Sequence, residues 1–155
     1  MSQVASAYVL LIERIQSLSQ SATKKDWKEL WTELKQEREV TPAYGYSGHV
    51  VDVLLAYWEE RDVQIPLMIG EPPFSAIGAS DLGLQICADH KSARKALDAL
   101  ATLPLDESDL RQYFNAFTCS DWDEAGRAMK EGWIFVVRGF ELVKDETECY
   151  LLFVG

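Results

Sequence analysis

The chain has 155 residues, of which 48% are apolar, and its 25 acidic and 15 basic residues give a formal net charge of −10. This length and apolar content suit one domain with its own core, so we expect a single globular domain over residues 1–155. The excess of acid argues against nucleic acid and anionic membrane surfaces as partners and favours a cationic partner.

The first forty residues predict two helices. Helical spacing of apolar residues indicates an amphipathic helix over residues 5–19, with a strand over residues 8–12 as the alternative. These apolar residues are Val4, Tyr8, Leu11, Ile15 and Leu18. A second apolar face, containing Trp27 and Trp31, predicts a helix over residues 24–39. No basic segment precedes a long apolar run here, so we expect neither a signal peptide nor a membrane span, and a cytoplasmic location.

A third helix and a long connection follow. Ser47 lies after a turn rich in proline and glycine and can cap a helix that runs to about Glu60. Val50, Val51 and Trp58 belong to the predicted buried face of this helix. The connection over residues 65–83 contains proline and glycine between apolar residues. Loops this long in compact domains are uncommon and are often functional.

The middle of the chain predicts a strand and two helices. Residues 82–87 alternate well enough for a short strand, and Asp89 can cap the helix after it. That helix directs Ala93, Ala96, Leu97 and Leu100 inward. Pro104 separates it from another helix with acidic residues in its first turn. The apolar face of this later helix contains Leu110, Phe114 and Phe117.

The last third predicts a core helix followed by a buried strand. Five apolar residues recur at spacings of four and three, which places them on one stripe of a helix and not on a hairpin. They are Met129, Trp133, Val136, Phe140 and Val143. Ser120 can serve as the N-cap, and the apolar run over residues 149–154 is too short for a surface helix. We therefore expect a helix-rich α+β or α/β domain whose small sheet includes strands near 82–87 and 148–154.

Few residues suggest chemistry. Ser47 resembles the serine of a nucleophile elbow, but the spacing is wrong and a capping role fits better. His49 and His90 could serve as a base or a metal ligand, yet neither belongs to a metal-binding histidine motif, so no metal or cofactor is expected. The three cysteines, Cys87, Cys119 and Cys149, are far apart in the chain. They are expected to be reduced core residues.

Charge is concentrated in the third helix and the long loop. Residues 40–90 contain seven acidic residues and a single basic one, Arg61. Tyr44 and Tyr46 lie in the preceding turn, where exposed aromatic residues are typical interface anchors. These features predict a partner-binding segment. Its candidate residues are Tyr44, Tyr46, Asp52, Glu59, Glu60, Asp62, Glu71 and Phe74.

The order of motifs from residue 46 to 155 resembles the YfbM-like family of uncharacterised bacterial proteins. The shared features include the Val50–Leu55 helix segment, the loop with Pro66-Leu67 and Ile69-Gly70, and the strand entry Leu82-Gly83-Leu84. The later segment Leu110-Arg111-x-Tyr-Phe and the terminal helix and strand also match. The resemblance implies an α/β or α+β domain. It implies no activity, because the family has none established, and no functional residue carries over.

Two functions fit these observations. The first is a non-catalytic binding module of the immunity or antitoxin type, which engages a cationic protein, such as a basic toxin, through the acidic segment. The second is a small enzyme or ligand-binding protein with a pocket under residues 65–83. Its acid–base candidates are His49 and Glu71, with Asp81 or His90. The sequence does not indicate an oligomeric state.

Overall fold

The computed structural model describes residues 3–15, 36–72, 74 and 83–155. The strands are β1 (Ala5–Leu11), β2 (Arg38–Glu39), β3 (Leu84–Asp89) and β4 (Glu148–Val154). The helices that lie wholly within the described residues are α1 (Gly48–Glu59), α2 (His90–Ala101), α3 (Glu107–Thr118) and α4 (Ala125–Leu142). All neighbouring strands are antiparallel, in the order β2-β1-β4-β3. The chain is therefore an α+β domain.

The two central strands, β1 and β4, pair from Ala5 opposite Val154 to Leu11 opposite Glu148. Alternate β4 residues face the helices and form one core with them: Tyr150, Leu152 and Val154. The intervening residues belong to a second apolar cluster on the opposite face: Cys149, Leu151 and Phe153. Because both faces are buried, β4 is apolar without interruption from Cys149 to Val154, as the sequence predicted.

Residues 5–11 form a strand, so the predicted helix over 5–19 is wrong there, and the alternative, a strand over 8–12, is correct except at its ends. Residues 12–15 are helical, as predicted, and residues 16–19 lie outside the described residues. Ala7 and Val9 reach the core beneath the helices, whereas Tyr8 and Leu10 reach the opposite cluster. Pairing with the full length of β4 favours the extended form, because an unpaired β4 edge would leave buried backbone groups unsatisfied. Arg38 and Glu39 pair with β1 instead of ending the second predicted helix, most of which lies outside the described residues.

Two helices begin at the caps that the sequence predicted, and a third begins within the acidic stretch that was expected to form its first turn. The side chain of Ser47 accepts a hydrogen bond from the His49 N–H at 3.3 Å and caps α1. Asp89 accepts from the Ser92 N–H at 2.8 Å and caps α2. Asp106 caps α3 by accepting from the backbone N–H groups of its first turn. In the described part of the chain, no helix combines the length and apolar character needed to cross a membrane.

Helix α4 is a core element, and Trp133 at its centre is 6% exposed. The predicted helix in place of a hairpin is confirmed. Its predicted N-cap is wrong, because α4 begins only at Ala125 and Ser120 hydrogen-bonds to Asn115 instead. Asn115 also binds the backbone N–H and carbonyl of Trp122 at 3.0 and 3.2 Å. These bonds hold residues 120–122 in a non-helical connection between α3 and α4.

A glycine determines how closely α4 approaches the sheet. A Cβ at Gly139 would lie 2.1 Å from Cζ of Tyr150, a buried residue of β4. Atoms of this kind need about 3.5 Å or more. Only a residue without a side chain therefore allows α4 to lie against the Tyr150 ring.

The cysteines differ in their surroundings. Cys87 and Cys149 are buried in the cluster on the far face of the sheet, as predicted, and burial raises the pKa of the Cys87 thiol to about 12. Cys119 is exposed, so its predicted place in the core is wrong. It caps the end of α3 with a left-handed backbone, φ 53°, and the chain turns away from the core there.

Candidate functional site

The acidic residues of the predicted binding segment collect at the C-terminal end of α1. Glu59, Glu60 and Asp62 are all exposed, and the last turn of α1 contains no basic residue. Among the residues that the structure describes, none of these three carboxylates takes part in an ion pair. The unpaired carbonyl groups of a helix C-terminus add partial negative charge at the same place.

The only basic residue of the segment, Arg61, turns away from these acids. Its guanidinium lies 3.4 Å from the ring centre of Tyr57 and donates to the Tyr57 carbonyl at 3.1 Å. It also lies 3.5 Å from the Asp109 carboxylate, which accepts the Tyr57 hydroxyl at 2.7 Å. Asp109 therefore balances the charge of Arg61, and Arg61 does not compensate the three acids at the C-terminal end of α1.

A groove opens beside this end of α1, with a volume of about 870 Å³. Its walls are the last turn of α1, residues 62–68 and the exposed side of α2. Three carboxylates, from Glu59, Asp62 and Glu71, line it together with the ammonium group of Lys95. Three negative charges and one positive charge leave a net of −2, so the groove favours cationic or amide-bearing groups.

The predicted aromatic anchors Tyr44 and Tyr46 are half-buried and lie at the other end of α1. The Tyr44 hydroxyl donates to the Ala128 carbonyl at 2.8 Å, and its ring stacks on Phe135 with centres 5.7 Å apart. Tyr46 packs edge-on against Trp122 at 5.9 Å. Because α1 has 12 residues, its two ends are about 18 Å apart. The structure therefore does not bring these tyrosines together with the acids of the last turn.

Two other predicted site residues are less accessible than expected. Phe74 is 0% exposed and belongs to the cluster on the far face of the sheet, so its expected role as an exposed anchor is wrong. Its ring is more stable among Cys149 and Leu151 than in water. Asp52 is half-buried on α1, and burial raises the pKa of its carboxyl group.

The structure instead places a different pair of aromatic side chains beside the acids. Tyr113 and Phe117 of α3 stack with ring centres 5.8 Å apart and an angle of 25° between the planes. Tyr113 also packs edge-on against Tyr57 at 5.1 Å. Phe117 is 53% exposed, so its predicted burial with Leu110 is wrong. The four-residue spacing of this pair on one helix could have indicated it.

The acid–base candidates do not converge. His49 is exposed in the first turn of α1 and meets Phe114 edge-on at 6.4 Å, whereas Glu71 lines the groove beyond the last turn. His90 accepts a hydrogen bond from Arg94 at 3.2 Å at the start of α2. Asp81 lies outside the described residues. Within the described ranges, no three His, Cys, Asp or Glu side chains are placed to hold a metal ion.

Comparison with known proteins found no match for this chain among protein-family models, curated proteins or solved structures. The resemblance to the YfbM-like family therefore stays a prediction. Any functional assignment has to rest on the surfaces described above.

Proposed function

We propose that this protein is a non-catalytic binding module of the immunity or antitoxin type, which engages a cationic protein partner through the C-terminal end of α1. One observation carries the proposal: Glu59, Glu60 and Asp62 are exposed together while Arg61 is paired with Asp109. An uncompensated acidic patch attracts basic proteins and raises their association rate. A basic toxin is a partner of this kind.

The remaining features are compatible with this role. The chain is acidic overall, with a net charge of −10, which disfavours nucleic acid as the partner. The three cysteines are free, as is usual for a protein of the cytoplasm, where we place it. A place in the YfbM-like family is part of the same proposal and adds no activity to it.

The test compares two matched charge reversals. Glu59→Lys changes the acidic end of α1, and Glu141→Lys makes the same change at an exposed position of α4. A partner is recovered from the native host with the wild-type protein, and its association and dissociation rates are measured at two ionic strengths. Glu59→Lys should slow association by about tenfold at low salt and flatten its salt dependence.

Glu141→Lys should leave both rates near those of the wild type. If the two reversals have equal effects, the attraction is due to overall charge and not to the end of α1. If only Glu141→Lys slows association, the binding surface lies on α4 and the proposal is wrong.

The groove supports a second candidate, a ligand-binding protein or small enzyme. Its volume of about 870 Å³ is within the usual range of small-molecule sites, roughly 300–1,000 Å³. Among the predicted acid–base candidates that the structure describes, Glu71 alone lines it. A set of small organic amines should then raise the melting temperature of the wild type but not of Glu71→Gln. Equal shifts in both proteins would argue against this function.

A further inference from the structure

An exposed aromatic surface lies beside the acidic end of α1, and we call Tyr113 and Phe117 the aromatic ledge. The outer ring, Phe117, is 53% exposed although it stacks on its neighbour. The inner ring, Tyr113, is held in place by its edge-on contact with Tyr57 at 5.1 Å. An exposed ring with a fixed support can bind a partner with little loss of conformational entropy.

Carboxylates border this ledge. Burial and, to a smaller extent, the neighbouring charges of Glu60 and Glu59 raise the pKa of Tyr113 to about 12. Glu60 lies one helical turn after Tyr57, whose ring packs against Tyr113, so its carboxylate is on the side of α1 that faces the ledge. A group that covers the ledge would meet aromatic carbon and negative charge together.

The protein already binds one guanidinium in these surroundings. Arg61 lies 3.4 Å from the centre of the Tyr57 ring and 5.5 Å from that of Tyr113, with its charge balanced by Asp109. Planar guanidinium groups stack on aromatic faces and pair with carboxylates at the same time. The exposed ring of Phe117 and the carboxylate of Glu60 offer the same two elements to a group from outside.

We propose that the aromatic ledge binds an arginine side chain of a basic protein partner, with its guanidinium stacked on Phe117 and paired with the Glu60 carboxylate. The inference rests on the proposed function and adds the anchor and the partner's residue type. Arginine is preferred to lysine because only its planar group can stack and pair in one position. A second copy of this chain is a poorer occupant, since it carries the same charge of −10. An apolar partner would bury the Glu60 carboxylate without a counter-charge.

The test uses two synthetic peptides of the same length and charge, one with arginine and one with lysine as its basic residue. Their affinities are measured by fluorescence anisotropy against the wild type, Phe117→Ala and Phe117→Trp. Ile134→Ala is the control, because Ile134 is also an exposed apolar residue of a helix. The wild type should bind the arginine peptide at least about threefold more tightly than the lysine peptide. Phe117→Ala should remove this preference, whereas Phe117→Trp and Ile134→Ala should keep it.

Two results would overturn the inference. One is an arginine preference that Phe117→Ala leaves unchanged. The other is a dimer of the wild type, seen by sedimentation, that Phe117→Ala dissociates, which would make the ledge a contact between copies. Glu59→Lys separates this inference from the proposed function: if it weakens both peptides while Phe117→Ala has no effect, the acidic patch stands and the ledge does not. If neither substitution has an effect, both fail.

Discussion

Two glycine-to-alanine substitutions on α4 should have opposite effects on stability. A Cβ at Gly139 would lie 2.1 Å from Cζ and 2.3 Å from Cε2 of Tyr150. A Cβ at Gly132 would lie no closer than 3.4 Å to any neighbour, the nearest being the hydroxyl oxygen of Tyr44. The added methyl group therefore clashes with the Tyr150 ring at position 139, whereas at position 132 it makes only ordinary van der Waals contacts.

The expected magnitudes follow from these distances. To restore contact distances, the Tyr150 ring or α4 would have to move by more than about 1 Å, and overpacking of a core costs about 1–3 kcal/mol or more. Alanine gains about 1 kcal/mol over glycine in a helix, which offsets part of that cost. A 2.1 Å approach calls for the upper end of that cost, so Gly139→Ala should lower the free energy of unfolding by about 2 kcal/mol or more. Gly132→Ala should raise it by about 0.5–1 kcal/mol.

Urea unfolding followed by circular dichroism measures both values, with unchanged m-values as the check that the transition stays two-state. The double variant Gly139→Ala/Tyr150→Leu should unfold at nearly the same urea concentration as Tyr150→Leu alone, because leucine does not reach the position of Cζ. If Gly139→Ala and Gly132→Ala shift the midpoint equally, or if Tyr150→Leu fails to relieve the first substitution, the close packing of α4 on β4 is wrong.

Three further outcomes are expected. Trp133→Ala should cost about 3–5 kcal/mol in urea unfolding, as large core truncations do; a loss within the error of the method would mean that this ring is not a core contact. In the folded protein only Cys119 should react rapidly with a thiol reagent, whereas three thiols should react after unfolding, because Cys87 and Cys149 are buried and free. Rapid reaction of all three in the native state would contradict the burial. Burial raises the pKa of Asp52 above its ordinary value of 3.8, so the unfolded chain loses this proton first and wild-type stability falls as the pH rises through the folded pKa. Asp52→Asn should accordingly raise the melting temperature at pH 7, with a smaller gain as the pH is lowered toward 3.8; a gain that does not depend on pH would refute the titration of this group.

Local patterns in the sequence were sufficient where the structure depends on neighbours in the chain. Ser47 and Asp89 cap the helices that they were predicted to cap, because a cap needs only a short side chain beside its own backbone. The apolar stripe of α4 was also predicted correctly, since its residues face one core. The N-terminal strand could not be identified in this way, because a spacing of four from Val4 to Tyr8 fits one face of a helix and one face of a strand alike. Only pairing with β4, at the far end of the chain, decides between them.

For the candidate site, too, some features follow from the sequence and others only from the tertiary structure. Composition alone determined that the segment around α1 is acidic, because charge does not depend on the fold. Tertiary packing decided which side chains accompany it. Helix α3 places Tyr113 against Tyr57 in the last turn of α1 and stacks Phe117 on Tyr113, while Tyr44 and Tyr46 lie at the other end of α1. The orientation of the Arg61 side chain could not be predicted from the sequence either, because its partner Asp109 belongs to a separate helix. Contacts between elements that are far apart in the chain produce no periodic pattern in either element. They decide which aromatic and basic side chains lie next to the acidic residues.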